Sequence, residues 1–172
     1  MRNRYWLIYL LLVVAQILLG NFLNLGQLVT ICLLPMLVLS LPVKYPGALV
    51  MGIAFGTSLA VDFLTHGILG LSTVALLPVA AFRRILVSAV FGEEVFARGE
   101  DLSVGKQGGS RMALAILICT AVYFAVFVWV DAAGTRSFGI CALDWLLSTL
   151  ASTAVGIPAA RLFNDNGEGR WR

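Results

Sequence analysis

Charge is scarce in this chain. Only 12% of its 172 residues are Asp, Glu, Lys or Arg, there is one histidine, and the one sizeable polar stretch lies between residues 92 and 109. A water-soluble domain of this length needs far more polar surface to cover itself. Cysteine is sparse too. Cys32, Cys119 and Cys141 are odd in number, lie in or beside apolar segments and form no C-x-x-C pair, which argues against a disulfide framework or a metal site. They read as small buried apolar residues. Signatures of nucleotide and hydrolase chemistry are missing as well. There is no G-x-x-x-x-G-K-[ST], Gly105-Lys106 lacks the strand and spacing of a phosphate loop, and neither H-E-x-x-H nor G-x-S-x-G occurs. No enzyme and no cofactor are expected.

What fills the chain instead is hydrocarbon. Hydrophobic residues make up 60% of the sequence, mean hydropathy is +0.94, and the apolar residues come in runs close to the roughly 17–25 residues a helix needs to cross a bilayer. The reading is an all-α integral membrane protein of one domain, residues 1–163, with six transmembrane helices over residues 5–19, 27–41, 48–64, 68–82, 111–130 and 140–163. The second is short and carries Pro35. Two prolines and a glycine then break the chain at Pro42, Pro46 and Gly47. Gly20-Asn21 reads as the start of a loop after the first helix. Residues 92–110 form a polar loop, and residues 164–172 a polar tail. The first helix has the basic start of a signal peptide, but Gly20-Asn21-Phe22 follows it rather than an Ala-x-Ala cleavage pattern, so it is expected to be retained.

Lys and Arg set the orientation. With the N-terminus inside and six helices alternating, Arg2, Arg4, Lys44, Arg83, Arg84, Arg98, Lys106, Arg111, Arg161, Arg170 and Arg172 all fall on the cytoplasmic side, and Arg136 alone falls outside. This predicts a multi-pass membrane protein with both termini cytoplasmic. It also accounts for the net charge of +3 without nucleic acid as a partner, because the basic residues sit at helix ends. Tyr5, Trp6, Trp129 and Trp145 fall near helix ends, as interfacial aromatics do.

Two ladders of small residues recur every four positions: Ala48, Gly52, Gly56 and Ala60, and Ser148, Ser152, Gly156 and Ala160. Positions four apart share one helix face, and small residues there let backbones approach closely, which is how helices associate in lipid. Each ladder is expected to be a packing face, with the two facing each other as one option and a partner's helix as the other. Asp62 is the acidic residue nearest the apolar interior. An acid there is costly and has a partner. His66 lies one turn later and could share a face with it, giving a polar site at the outer surface; the plainer reading is a cap, with Asp62 or Thr65 satisfying backbone groups in the turn before the next helix. Asp131 is expected to be solvated, and Asp144 to pair with Arg136 or His66. Arg83 and Arg84 read as cytoplasmic anchors that touch inner-leaflet lipid phosphates, or as a contact with a partner.

The stretch Gly52-Ile53-Ala54-Phe55-Gly56-Thr57-Ser58-Leu59-Ala60-Val61-Asp62-Phe63-Leu64-Thr65-His66-Gly67-Ile68-Leu69-Gly70-Leu71-Ser72-Thr73 resembles the central signature of the rod shape-determining protein MreD family: a Gly-bearing helix ending in an acid, a short turn, a Leu-Gly element and a basic residue, here Arg83 or Arg84, at the far end of the next helix. Gln16-Ile17-Leu18-Leu19-Gly20-Asn21 and the chain length also agree, and the charged loop before the fifth helix is similar to the Bacteroidota-type branch. Asp62, Gly67 and Gly70 match the motif; His66 is this sequence's own variation. The resemblance implies a fold like the substrate-binding S-components of energy-coupling-factor transporters. It also implies a non-enzymatic membrane subunit of the cell-elongation, peptidoglycan-synthesis machinery. Such a subunit works with MreC and, through it, with MreB, RodA and RodA's transpeptidase partner. The competing function is an S-component that captures a vitamin or metal. The same fold would serve both, but an S-component needs an enclosed polar pocket, and few polar residues besides Asp62, His66 and Asp144 lie near the outer face.

Overall fold

The computed structural model describes residues 2–22, 29–65, 69–93, 108–133 and 136–164. These residues form six helices: α1 (Arg2–Phe22), α2 (Leu34–Ser40), α3 (Gly47–Thr65), α4 (Leu71–Phe91), α5 (Gly109–Ala132) and α6 (Phe138–Asn164). Five of them, all but α2, are long and apolar enough to cross a membrane. The distribution of side chains is that of a protein dissolved in lipid. Leu7, Phe22, Phe63, Trp129 and Phe138 are exposed, while Asp62, Ser58 and Ser148 are completely buried. Water would reverse that arrangement; hydrocarbon on the outside requires it. The chain is a multi-pass, all-helical membrane protein.

The second helix differs most from expectation. A helix over residues 27–41 is not what forms: residues 29–33 are non-helical and only seven residues, Leu34–Ser40, coil. Pro35 suits the first turn, where its missing N–H costs nothing. Pro42 forces the preceding Leu41 into an extended conformation, with ψ at 146°. Every residue of α2 is buried, and α2 touches each of the other five helices. The shortest helix is therefore the axis of the bundle. Its apolar run has no periodicity because it has no outside.

The direction of α2 follows from its neighbours. The Tyr9 hydroxyl and Thr57 Oγ1 of α3 lie 3.0 Å apart, and farther along Asn21 Nδ2 donates to the Leu64 carbonyl at 3.1 Å. Helices α1 and α3 thus run parallel, side by side. The chain between them travels back down the length of the bundle, and α2 with the non-helical residues 29–33 makes that return. By contrast α3 and α4 are antiparallel, as are α5 and α6, where Trp145 Nε1 donates to the Ala121 carbonyl and Gly156 lies against Ile116.

Helix α1 also runs longer than expected. Gly20 and Asn21, read as a loop, are helical. A Cβ at Gly20 would stand 2.1 Å from Thr65 Cγ2, so the glycine is what lets α1 and the end of α3 meet, and Asn21 satisfies a carbonyl in α3's last turn.

A non-helical stretch inside a helix bundle leaves amides unsatisfied unless side chains reach them. Here they do. Gln16 of α1 donates to the Ile31 carbonyl at 3.2 Å and accepts from the Leu33 amide at 2.6 Å. Ser148 accepts from the Thr30 amide at 2.9 Å. Ser152 accepts from the Cys32 amide at 2.9 Å and donates to the Thr30 carbonyl at 3.3 Å. Replacing Gln16 with Leu removes two of these hydrogen bonds and strands a buried N–H and a part-buried C=O. The expected loss is about 2–4 kcal/mol of stability, read as a lower unfolding midpoint in mild detergent. A Gln16→Leu protein that melts like the parent would mean that this stretch is held some other way.

Candidate functional site

The end of the α3–α4 pair where α3 finishes and α4 begins gathers around Asp62. Gly70 takes a left-handed conformation, φ +100°, which glycine adopts at no cost, and turns the chain so that the first amides of α4 point back toward α3. Asp62 receives them. Its Oδ2 accepts from the Gly70 amide at 3.0 Å and from the Thr73 amide and hydroxyl, each at 3.3 Å, and its Oδ1 accepts from the Ser72 amide at 3.2 Å. Gly70 has no side chain with which to cap α4. Asp62 does so from the preceding helix, and its negative charge sits where the α4 dipole is positive. The geometry is that of a cap. His66 and Gly67, its expected companions, lie outside the described residues. Tyr123 of α5 packs fully buried beside Ser72 and Cys32, so the capped turn is stitched to the non-helical stretch as well.

At the α5–α6 end, Arg136 Nη1 lies 3.3 Å from Asp131 and 3.6 Å from Asp144. Asp131 is ion-paired rather than simply solvated. Asp144 meets Arg136, one of the two partners considered for it, and also accepts from the Ser148 hydroxyl at 3.0 Å. Through Ser148 this charge cluster connects to the Thr30 amide. An apolar recess of about 280 Å³ lies nearby between α5 and α6, lined by Phe124, Trp129, Phe138 and Trp145 among others.

The two small-residue ladders part company. The α6 ladder faces inward: Ser148, Ser152, Gly156 and Ala160 are buried, and a Cβ on Gly156 would meet Ile116 Cγ2 at 3.2 Å and Met36 Cβ at 3.8 Å. The α3 ladder faces out. Ala48, Gly52, Gly56 and Ala60 are all exposed, and a Cβ on Gly52 or Gly56 would have nothing within 4 Å. The α3 residues that pack inward are Val50, Ala54, Ser58, Val61 and Asp62. The ladders therefore do not face each other, because the one on α3 faces away from the bundle.

Arg83 and Arg84 also separate. Adjacent positions on a helix point about 100° apart. Arg84 is exposed, but Arg83 is buried, and its Nη2 donates to the carbonyls of Leu39 and Leu41. It caps the C-terminal end of α2, where carbonyls are left over and a positive charge is favoured. An anchor at the lipid surface describes Arg84 and not Arg83.

Comparison with protein-family models, curated proteins and solved structures finds no match. What the chain does rests on its own geometry. Gln16 and Gly20 were not singled out as site residues, although a glutamine in the middle of an apolar helix is a signal in itself.

Two substitutions test these assignments. Asp62→Ala strands three amides in a buried turn and is expected to cost about 2–4 kcal/mol. Asp62→Asn keeps one acceptor oxygen and falls between, as read by melting in detergent. Gly156→Leu overpacks the α5–α6 contact and is expected to cost about 1–3 kcal/mol or more, whereas Gly52→Leu leaves the melt unchanged. Equal effects at the two glycines would contradict the inward and outward assignment.

Proposed function

We propose that the chain is a non-enzymatic membrane scaffold whose α3 offers its outward small-residue face to a partner's transmembrane helix. The observation that carries this reading is the exposure of Gly52 and Gly56 with open space above both. Glycine in a helix interior costs about 0.5–1 kcal/mol relative to alanine. At Gly20 and Gly156 that cost is returned by a close approach within the fold; at Gly52 and Gly56 nothing in the fold returns it. A partner helix at close range does. Beside the ladder, Met51, Phe55, Leu59 and Phe63 are exposed and would flank the partner as a ridge.

The resemblance to MreD gives that partner a name: MreC, a protein with a single membrane helix, and through it the elongation machinery with MreB, RodA and RodA's transpeptidase partner. On this reading the chain crosses a bacterial inner membrane six times, the second crossing being residues 29–33 with α2, in an arrangement like that of an S-component. Lys and Arg put both termini in the cytoplasm. The alternative is that the chain is itself such a transporter subunit. It is the weaker reading, because Asp62 and Asp144 are committed to amides, a hydroxyl and Arg136 rather than turned toward a ligand.

The test is co-purification in mild detergent of tagged protein from its native membrane. Wild type and Gly139→Leu, which alters an equally open position on α6, are expected to recover the MreC-type partner. Gly52→Leu and Gly56→Leu are expected to lower recovery at least tenfold while inserting and melting normally. Undiminished recovery with both leucines would remove α3 as the interface. Capture of paired ATPases with a coupling membrane subunit would replace the scaffold with the transporter reading.

A further inference from the structure

At the end of the bundle away from Asp62, a pocket of about 340 Å³ opens between the α2–α3 connection and α4. Its charge is one-sided. Lys44 lines it from the connection, Arg83 and Arg84 line it from α4, and among the described residues no carboxylate does. The first turn of α3 and the last turn of α4 contain no acidic residue. Three positive charges around one cavity, with no acid among the described residues that line it, repel one another and attract an anion.

The backbone adds to the attraction. The Pro46 carbonyl accepts the first helical bonds of α3, from the Leu49 and Val50 amides, so the amides of Gly47 and Ala48 precede the hydrogen-bonded ladder. Gly47 lines the pocket, and a Cβ there would meet nothing within 4 Å. Arg83 is not free to leave, since its guanidinium is tied to Leu39 and Leu41. It fixes one positive charge in the wall, while Lys44 and Arg84 line the same pocket and are exposed. Val50, Ala80 and Val87 give the pocket an apolar floor.

We propose that this pocket binds a phosphate group, as a mono- or diester. Guanidinium and ammonium groups with helix N-terminal amides are the donor set that phosphate takes. The volume exceeds that of a bare phosphate ion and leaves room for a glycerol-sized substituent. Two sources carry this chemistry: the headgroup of an anionic lipid and a soluble phosphate ester. Leu49, Phe82 and Ile85 lie exposed on the same stretches of α3 and α4, where acyl chains would run. The site does not depend on the docking of a partner helix on α3.

Calorimetric titration of the full-length protein in neutral detergent tests this, using short-chain phosphatidylglycerol, short-chain phosphatidylcholine and glycerol 1-phosphate as probes. Saturable binding of phosphatidylglycerol well above phosphatidylcholine is expected. Each cation near a lipid surface is worth about 1 kcal/mol, so Lys44→Gln with Arg84→Gln should weaken binding by roughly tenfold or more. Lys44→Gln alone, on an exposed connection, should weaken it several-fold and serves if the double variant fails to fold. Arg111→Gln with Arg161→Gln removes as much charge from elsewhere on the exposed surface and should change little. If glycerol 1-phosphate binds as tightly and is lost with the same variants, the source is a soluble ester and the site stands. Equal binding of the two lipids, no loss in the Lys44 variants, or an equal loss in the Arg111 and Arg161 control would overturn it.

Discussion

The amides of Thr30, Cys32 and Leu33 lie within a helix bundle on a stretch of chain that forms no helix. Nothing else about the fold is free to vary until those groups are satisfied. Gln16 must come from α1, and Ser148 and Ser152 from α6, at the right height. That requirement fixes α1 and α6 on either side of the stretch. The buried α2 that continues from it then fixes the remaining helices, each of which it touches. Polar groups at the α2 end obey the same logic: Arg83 reaches inward because Leu39 and Leu41 present carbonyls with no helical partner.

The bundle is thus built by helix termini satisfied from a distance. Asp62 of α3 caps α4, Arg83 of α4 caps α2, and Asn21 of α1 caps α3. In each case the capping side chain belongs to a different element from the end it serves. In water a frayed end costs little, because solvent replaces the missing partner. In hydrocarbon the orphan groups have no substitute, so caps become tertiary contacts. Two ends of the molecule result, with different character. One end has its acids neutralised by amides and Arg136. The other carries cations and an open pocket. The flank between them presents α3's small residues.

The long helices were legible in the sequence because a lipid-facing helix needs an unbroken apolar run, although α1 and α4 run past the expected ends at residues 19 and 82, to Phe22 and Phe91. The second was not, because residues 32–41 are apolar for a different reason: they are buried, and a surrounded non-helical stretch and a surrounded helix have the same composition. Only Pro35 and Pro42 hinted at the brevity of α2. The ladders were legible as ladders but not as inward or outward. Serine hydroxyls on α6 serve backbone groups from inside, while the Ala and Gly of α3 carry no polar atom that would reveal a side. The cap at Asp62 was one of two readings open from its spacing to the next helix. The split between Arg83 and Arg84 needed the α2 carbonyls, which no local pattern encodes.

The non-helical stretch has a consequence for how the molecule is made. Thr30 and Ser148 are separated by 118 positions, and Cys32 and Ser152 by 120. A ribosome that has just delivered residue 40 to the membrane has supplied Gln16 but neither serine. The nascent chain therefore holds an incomplete segment until its last helix arrives, and maturation waits on the C-terminus. A truncation that removes only α6 takes away more than a sixth of the bundle; it leaves the second element without the groups that let it stay.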